Sequence, residues 1–167
     1  YGNSFGGTVN FVSANPSFTE ENKAYGRVSD SYGSNGSINR SEAVLGISSK
    51  RYDLGAFGSW SQGNDYVDGE GVKVASGFAR GSGGANLAIK LAENQLFRLS
   101  TTRNFARDVD FPALPMDLRS DDTWLLNAKH EVKPLTGNLK SWSTNVFGTF
   151  VDHFMDNRLK NLDPRMM

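Results

Sequence analysis

The chain has 167 residues, 18 Lys and Arg balanced by 18 Asp and Glu, and no cysteine. That length is one ordinary domain, long enough to bury a core; the charge balance gives no whole-chain attraction to nucleic acid, and the missing thiols exclude a disulfide framework and a thiolate metal site. A mean hydropathy of -0.46 and the lack of any ~18-residue apolar run exclude a transmembrane helix, but not a membrane barrel, whose strands are only half apolar.

In chain order, Tyr1-Gly2-Asn3-Ser4-Phe5-Gly6-Gly7 carries neither an initiator Met nor an apolar leader. At the other end Leu162-Asp163-Pro164-Arg165-Met166-Met167 reads as a turn running onward, so the chain is expected to be a fragment. Residues 8–13 alternate as a short strand closed by Asn15-Pro16, and a polar linker follows to Lys23. Strands are then expected over 24–32, 42–49, 52–61, 84–92, 95–104, 123–133 and 140–155.

The alternation is clearest in four of these. Ala85, Leu87, Ile89 and Leu91 share one face against Asn86, Ala88, Lys90 and Ala92 on the other. A second run, Gln95 to Arg103, follows the tight Glu93-Asn94 turn. Trp124, Leu126, Ala128, His130 and Val132 oppose Asn127, Lys129, Glu131 and Lys133, and Trp142, Val146, Phe150 and Phe154 oppose Ser141, Ser143 and Asn145. Runs this long match the ~9–11 residues a tilted strand needs to cross a bilayer. Tight connections at Lys50-Arg51 and Glu93-Asn94 alternate with long ones over 62–83 and 105–122, the asymmetry of outer-membrane barrels. The expected fold class is all-β, an antiparallel up-and-down meander forming part of a transmembrane β-barrel. Trp60, Trp124, Trp142 and Tyr52 fit its aromatic girdle.

Three segments resemble a known family. Tyr1-Gly2 with Gly6-Gly7-Thr8-Val9-Asn10-Phe11-Val12-Ser13 is similar to the end of the plug domain of TonB-dependent outer-membrane receptors. Phe111-Pro112-Ala113-Leu114-Pro115-Met116-Asp117, followed by Asp121-Asp122-Thr123-Trp124, resembles an external loop and its returning strand in that family. Val151-Asp152-His153-Phe154-Met155-Asp156-Asn157 resembles the His-x-Met-Asp-Asn strand end of the metal and siderophore receptors, the copper receptors among them. The resemblance implies residues 1–14 as the end of a plug, 15–23 as a linker and 24–167 as roughly the first seven barrel strands. It further implies energy-coupled uptake of a metal, metal chelate or similar scarce nutrient at the bacterial outer membrane. The partners would be that ligand, outer-membrane lipid and, through a region not present here, the TonB complex. Catalysis and nucleic-acid binding are not expected.

His153 and Met155 are the most chemical pair. Their parity sets them on the polar face, opposite Trp142, Val146, Phe150 and Phe154, and a neutral imidazole beside a thioether suits Cu(I). By resemblance, the matching His-x-Met of copper receptors ligates copper together with a Cys-x-x-x-Met of the plug. Met116 is a further candidate soft donor, which makes copper a candidate transported ligand rather than a resident cofactor. An inward His or Met on a barrel wall more commonly serves as a hydrogen-bond partner or a gap filler. His130, on the apolar face, is expected at the membrane interface rather than at a metal. Asp117, Asp121 and Asp122 are expected in a solvated loop without calcium-loop order, and Gly81-Ser82-Gly83-Gly84 in a turn. The alternative to a transporter is a soluble β-sandwich or lipocalin-like ligand or carbohydrate-binding module, whose apolar face would be its interior.

Overall fold

The structure, a computed structural model, describes residues 16–133, 140–158 and 160. The short strand expected over 8–13 lies outside them. The described residues form nine strands and no helix: β1 (Lys23–Gly33), β2 (Ile38–Ser48), β3 (Tyr52–Gly63), β4 (Tyr66–Val67), β5 (Lys73–Val74), β6 (Phe78–Ala92), β7 (Gln95–Val109), β8 (Asp117–Val132) and β9 (Trp142–Asp156). Seven make one sheet in the order β1-β2-β3-β6-β7-β8-β9, with every pair antiparallel. This is the expected up-and-down meander, and each of the seven strands read between 24 and 155 is present. The remaining two, β4 and β5, form a small ribbon in the β3–β6 connection.

Several strands run further than the alternation indicated, β2 from Ile38 and β6, β7 and β8 at the long connections. The connections expected over 62–83 and 105–122 shrink to 64–77 and 110–116, because β6 starts at Phe78, β7 continues to Val109 and β8 begins at Asp117. The extensions carry charges on both faces, so no apolar period marks them. Instead they are cross-linked: Arg103 Nε donates to Asp122 Oδ1 at 3.1 Å, and Arg107 also pairs with Asp122. Asp117, Asp121 and Asp122 are therefore strand residues, not loop residues.

Gly81-Ser82-Gly83-Gly84 is likewise the middle of β6 rather than a turn. Its glycines make room for rings. A Cβ on Gly81 would sit 2.5 Å from Phe105 Cζ and 2.9 Å from the Ser59 carbonyl oxygen. Trp60 and Phe105, on the strands either side of Gly81, meet across it with ring centroids 5.8 Å apart.

Residues paired across the ladder share a face, so the register sorts the whole sheet. One face carries the rows Ile47-Leu54-Leu87-Leu99-Ala128-Val146 and Leu45-Ala56-Ala85-Thr101-Leu126. The other carries Asn86-Ser100-Asn127 and Ser59-Ser82-Asn104-Thr123. The apolar face is uncovered: Leu45 is 61% exposed, Phe150 63% and Val146 65%. Among the described residues, the buried hydrophobic side chains are Ala88 and Leu118 alone. A sandwich or lipocalin-like protein would enclose the apolar face; among the described residues this sheet is a single layer with nothing packed on that face.

The aromatic residues border the apolar rows. Tyr52 and Trp60 lie on β3, Trp124 on β8, and Trp142 opposes Val132, all on the apolar face. Tyr52 to Trp60 and Trp124 to Val132 are equal spans along two separate strands, each roughly 26 Å at 3.3 Å per residue. With the tilt of a barrel strand that becomes roughly 20 Å, close to the ~25 Å apolar band of a transmembrane barrel.

Candidate functional site

The polar face carries the chemistry. On β9, His153 and Met155 point to that face side by side, as their parity required, with Phe154 on the other. A β-bulge between Leu118 and Ser120 inserts Arg119 into β8, so that Met155 opposes Leu118 while His153 opposes Asp121. His153 Nδ1 lies 2.9 Å from Asp121 Oδ2. The carboxylate is fixed in turn by Thr123, whose hydroxyl donates to Asp121 Oδ1 at 3.0 Å. A carboxylate on Nδ1 orients the ring and leaves Nε2 as the nitrogen able to meet a metal, the usual arrangement around ligating histidines. The ring is about half exposed, so Nε2 is reachable from water.

Met116 directly precedes Asp117, which opposes Asp156, so the register carries it to the same end of the β8–β9 pair as Met155. Its loop is anchored by ion pairs with little exposure. Asp117 Oδ1 accepts the Phe111 N–H at 2.9 Å and lies 2.8 Å from Lys160 Nζ. Arg119 Nε donates to Asp156 Oδ1 at 2.9 Å. Asp117, Asp156 and Asn157 are fully buried, which makes this end of the sheet its most enclosed part. The ribbon side is anchored by Asp65, whose Oδ1 accepts the Ser76 N–H at 3.0 Å and holds its carboxyl below the usual range. Asp110 is shifted the other way: burial raises its pKa, and the carboxylates of Asp117 and Asp65 add to the rise.

Among the described residues no group of three or more His, Cys, Asp or Glu is placed to hold a metal ion. A metal at His153 would therefore depend on thioether sulfur and on donors beyond this sheet. His130, by contrast, sits on the apolar face opposite Phe97, with its Nε2 3.2 Å from Gln95 Oε1. The Asp121–His153 pair escaped the sequence reading because it joins residues on different strands, and Asp121 had been taken for a loop residue. A second feature also escaped it. One row of the polar face runs Arg40-Ser61-Arg80-Ala106-Asp121-His153 across six strands, and its first five residues line an open hollow of about 470 Å³.

The fold thus defines a single-layered antiparallel meander with one apolar and one polar face. No family model matches the chain, and no curated protein matches it. Among solved structures it is similar to the copper transporter OprC, with a TM-score of 0.79 and 22% identity over 90% of this chain. The chain spans 23% of that protein's length. At this identity the likeness establishes the fold.

These findings correct the identification with TonB-dependent receptors as a plug end followed by barrel strands. A plug is a separate packed body, whereas the described residues make one small sheet and a two-stranded ribbon. Tyr1 to Ala14, on which the plug reading rested, lie outside the described residues.

Proposed function

We propose that the chain is a section of the wall of an outer-membrane β-barrel that admits a metal or a metal-bearing small molecule, its polar face turned to the water-filled interior. The observation that carries this reading is the uncovered apolar face, bordered on both sides by aromatic residues. An apolar sheet face of this extent is stable only when something apolar covers it, and lipid does so for a barrel. Among the described residues the outer strands β1 and β9 each leave one edge without a neighbour in the sheet, and in a bilayer such edges are satisfied by closing the barrel. The likeness to a section of a copper transporter supports the same reading.

Within it, His153 and Met155 are the cargo contacts, with Met116 as a further soft donor from the neighbouring loop and copper as the candidate metal. Asp121 acts by orienting His153. Replacing both His153 and Met155 by Ala should abolish Cu(I) binding by the intact protein while leaving its assembly in lipid unchanged, since neither side chain lies on the apolar face. Unaltered copper binding by the double variant would refute the assignment of these residues. A parent protein that assembles in lipid but binds no copper would refute the metal and leave the wall intact.

A further inference from the structure

The row Arg40-Ser61-Arg80-Ala106-Asp121-His153 divides chemically at Ala106. On one side Asp121 is already engaged by His153 and Thr123. On the other, Arg40 and Arg80 sit either side of Ser61 on β2, β3 and β6. Neither guanidinium has a carboxylate partner among the described residues. The Arg80 guanidinium lies over the Phe78 ring, 5.1 Å from its centroid, which holds the group without neutralising it. The Ser61 hydroxyl is covered and has no hydrogen-bond partner, so it can turn about χ1 without losing a bond. Ala106, opposite Arg80 on the same face, keeps the floor low, and the hollow opens above it.

Two strand spacings, with β3 between, separate Arg40 from Arg80, roughly 10 Å between their stems, and both side chains are long enough to converge on one group between them. Glu42 and Asp121 also line the hollow and balance the two guanidinium charges in number, but neither carboxylate is paired with Arg40 or Arg80. Unpaired guanidinium forks in a hollow are built to take oxygens two at a time.

We propose that Arg40, Ser61 and Arg80 form a binding site for a phosphate or carboxylate oxyanion on the polar face, separate from His153. The inference rests on the reading of that face as the water-lined side of a wall. A site of this chemistry serves either a free inorganic oxyanion or the acidic groups of a larger cargo, and the probes distinguish them.

The test is calorimetric titration of the intact protein in detergent with inorganic phosphate and, separately, with citrate. Comparable binding of both indicates a site for a single small oxyanion; binding of citrate more than about tenfold tighter indicates a polycarboxylate cargo. In either case Arg40→Gln and Arg80→Gln should each weaken binding about tenfold or more, whereas Glu42→Gln should tighten it. His153→Ala should leave oxyanion binding unchanged while altering the metal. Should Arg80→Gln fail to assemble, Arg80→Lys keeps the charge but loses the fork, and should still weaken binding. Absence of binding of either probe at millimolar concentration, or undiminished binding in the folded arginine variants, would overturn the site. Failure of the wall reading shows separately, as a protein that stays monodisperse without detergent.

Discussion

Placing a charge at the centre of the apolar face tests which side of the sheet meets lipid. Leu87 stands opposite Leu54 on one neighbour and Leu99 on the other, in the row continued by Ile47, Ala128 and Val146. Its row crosses β8 at Ala128, midway between Trp124 and Val132, and β3 at Leu54, two residues inside Tyr52, so on this reading an arginine there must either sit in hydrocarbon or distort the bilayer to reach water. Leu87→Arg is expected to cost ~2–4 kcal/mol, the range for Arg at the midplane of a membrane barrel. That corresponds to a roughly 30- to 700-fold shift in the folding equilibrium. Asn86 is one residue earlier, on the polar face between Gly55 and Ser100, and Asn86→Arg should fall within about 0.5 kcal/mol of the parent. Urea unfolding in lipid vesicles, followed by tryptophan fluorescence, measures both. Equal costs at the two positions, or a larger cost at Asn86, would refute the assignment of faces.

Gly84→Ala should destabilise by about 1–3 kcal/mol, because its Cβ would be driven into the Thr101 carbonyl oxygen and lie 2.9 Å from the Phe57 ring, while Gly58→Ala, with open space at its Cβ, should be nearly neutral in the same unfolding assay. Asp117→Ala should cost about 3 kcal/mol by removing the carboxylate beside the Lys160 ammonium and leaving the Phe111 N–H without its acceptor, and limited proteolysis should then cut within 110–116. The raised pKa of Asp110 means that the folded protein favours its protonated form, so this carboxyl weakens the fold at neutral pH and the penalty fades as pH falls through its folded pKa. Asp110→Asn should accordingly increase protection of the Asp110 amide, which donates to Gly77, at neutral pH, and the gain over the parent should shrink on acidification; a constant difference would contradict the cause assigned to the shift.

The seven strands, their faces and the aromatic borders were legible because a sheet with one apolar and one polar face writes that difference into a period of two, and Leu87, Ile89 and Leu91 follow that period. Where both faces meet water the period disappears. Arg107, Asp121 and Asp122 therefore looked like loop although they continue β7 and β8. Glycine misled in the same region, since Gly81 and Gly84 serve ring packing across strands rather than a turn. The parity of His153 and Met155 was readable from β9 alone, but the partnership with Asp121 was not. It depends on a register altered by the bulge at Arg119, and no local pattern announces that insertion. The Arg40-Ser61-Arg80 row was hidden for a related reason: its members come from three strands and meet only through pairing.

The most direct test of the central claim uses Leu125 and Leu126, adjacent residues of one type with nearly equal exposure, 40% and 42%, whose faces the register sets on opposite sides. The chain has no cysteine, so single Leu125→Cys and Leu126→Cys variants can be labelled there with an environment-sensitive fluorophore after assembly into vesicles. Brominated lipid should quench the label at 126 and spare the one at 125, and aqueous iodide should do the reverse. Labels at both positions responding alike, to either quencher, would contradict the account of this sheet as a wall between lipid and water.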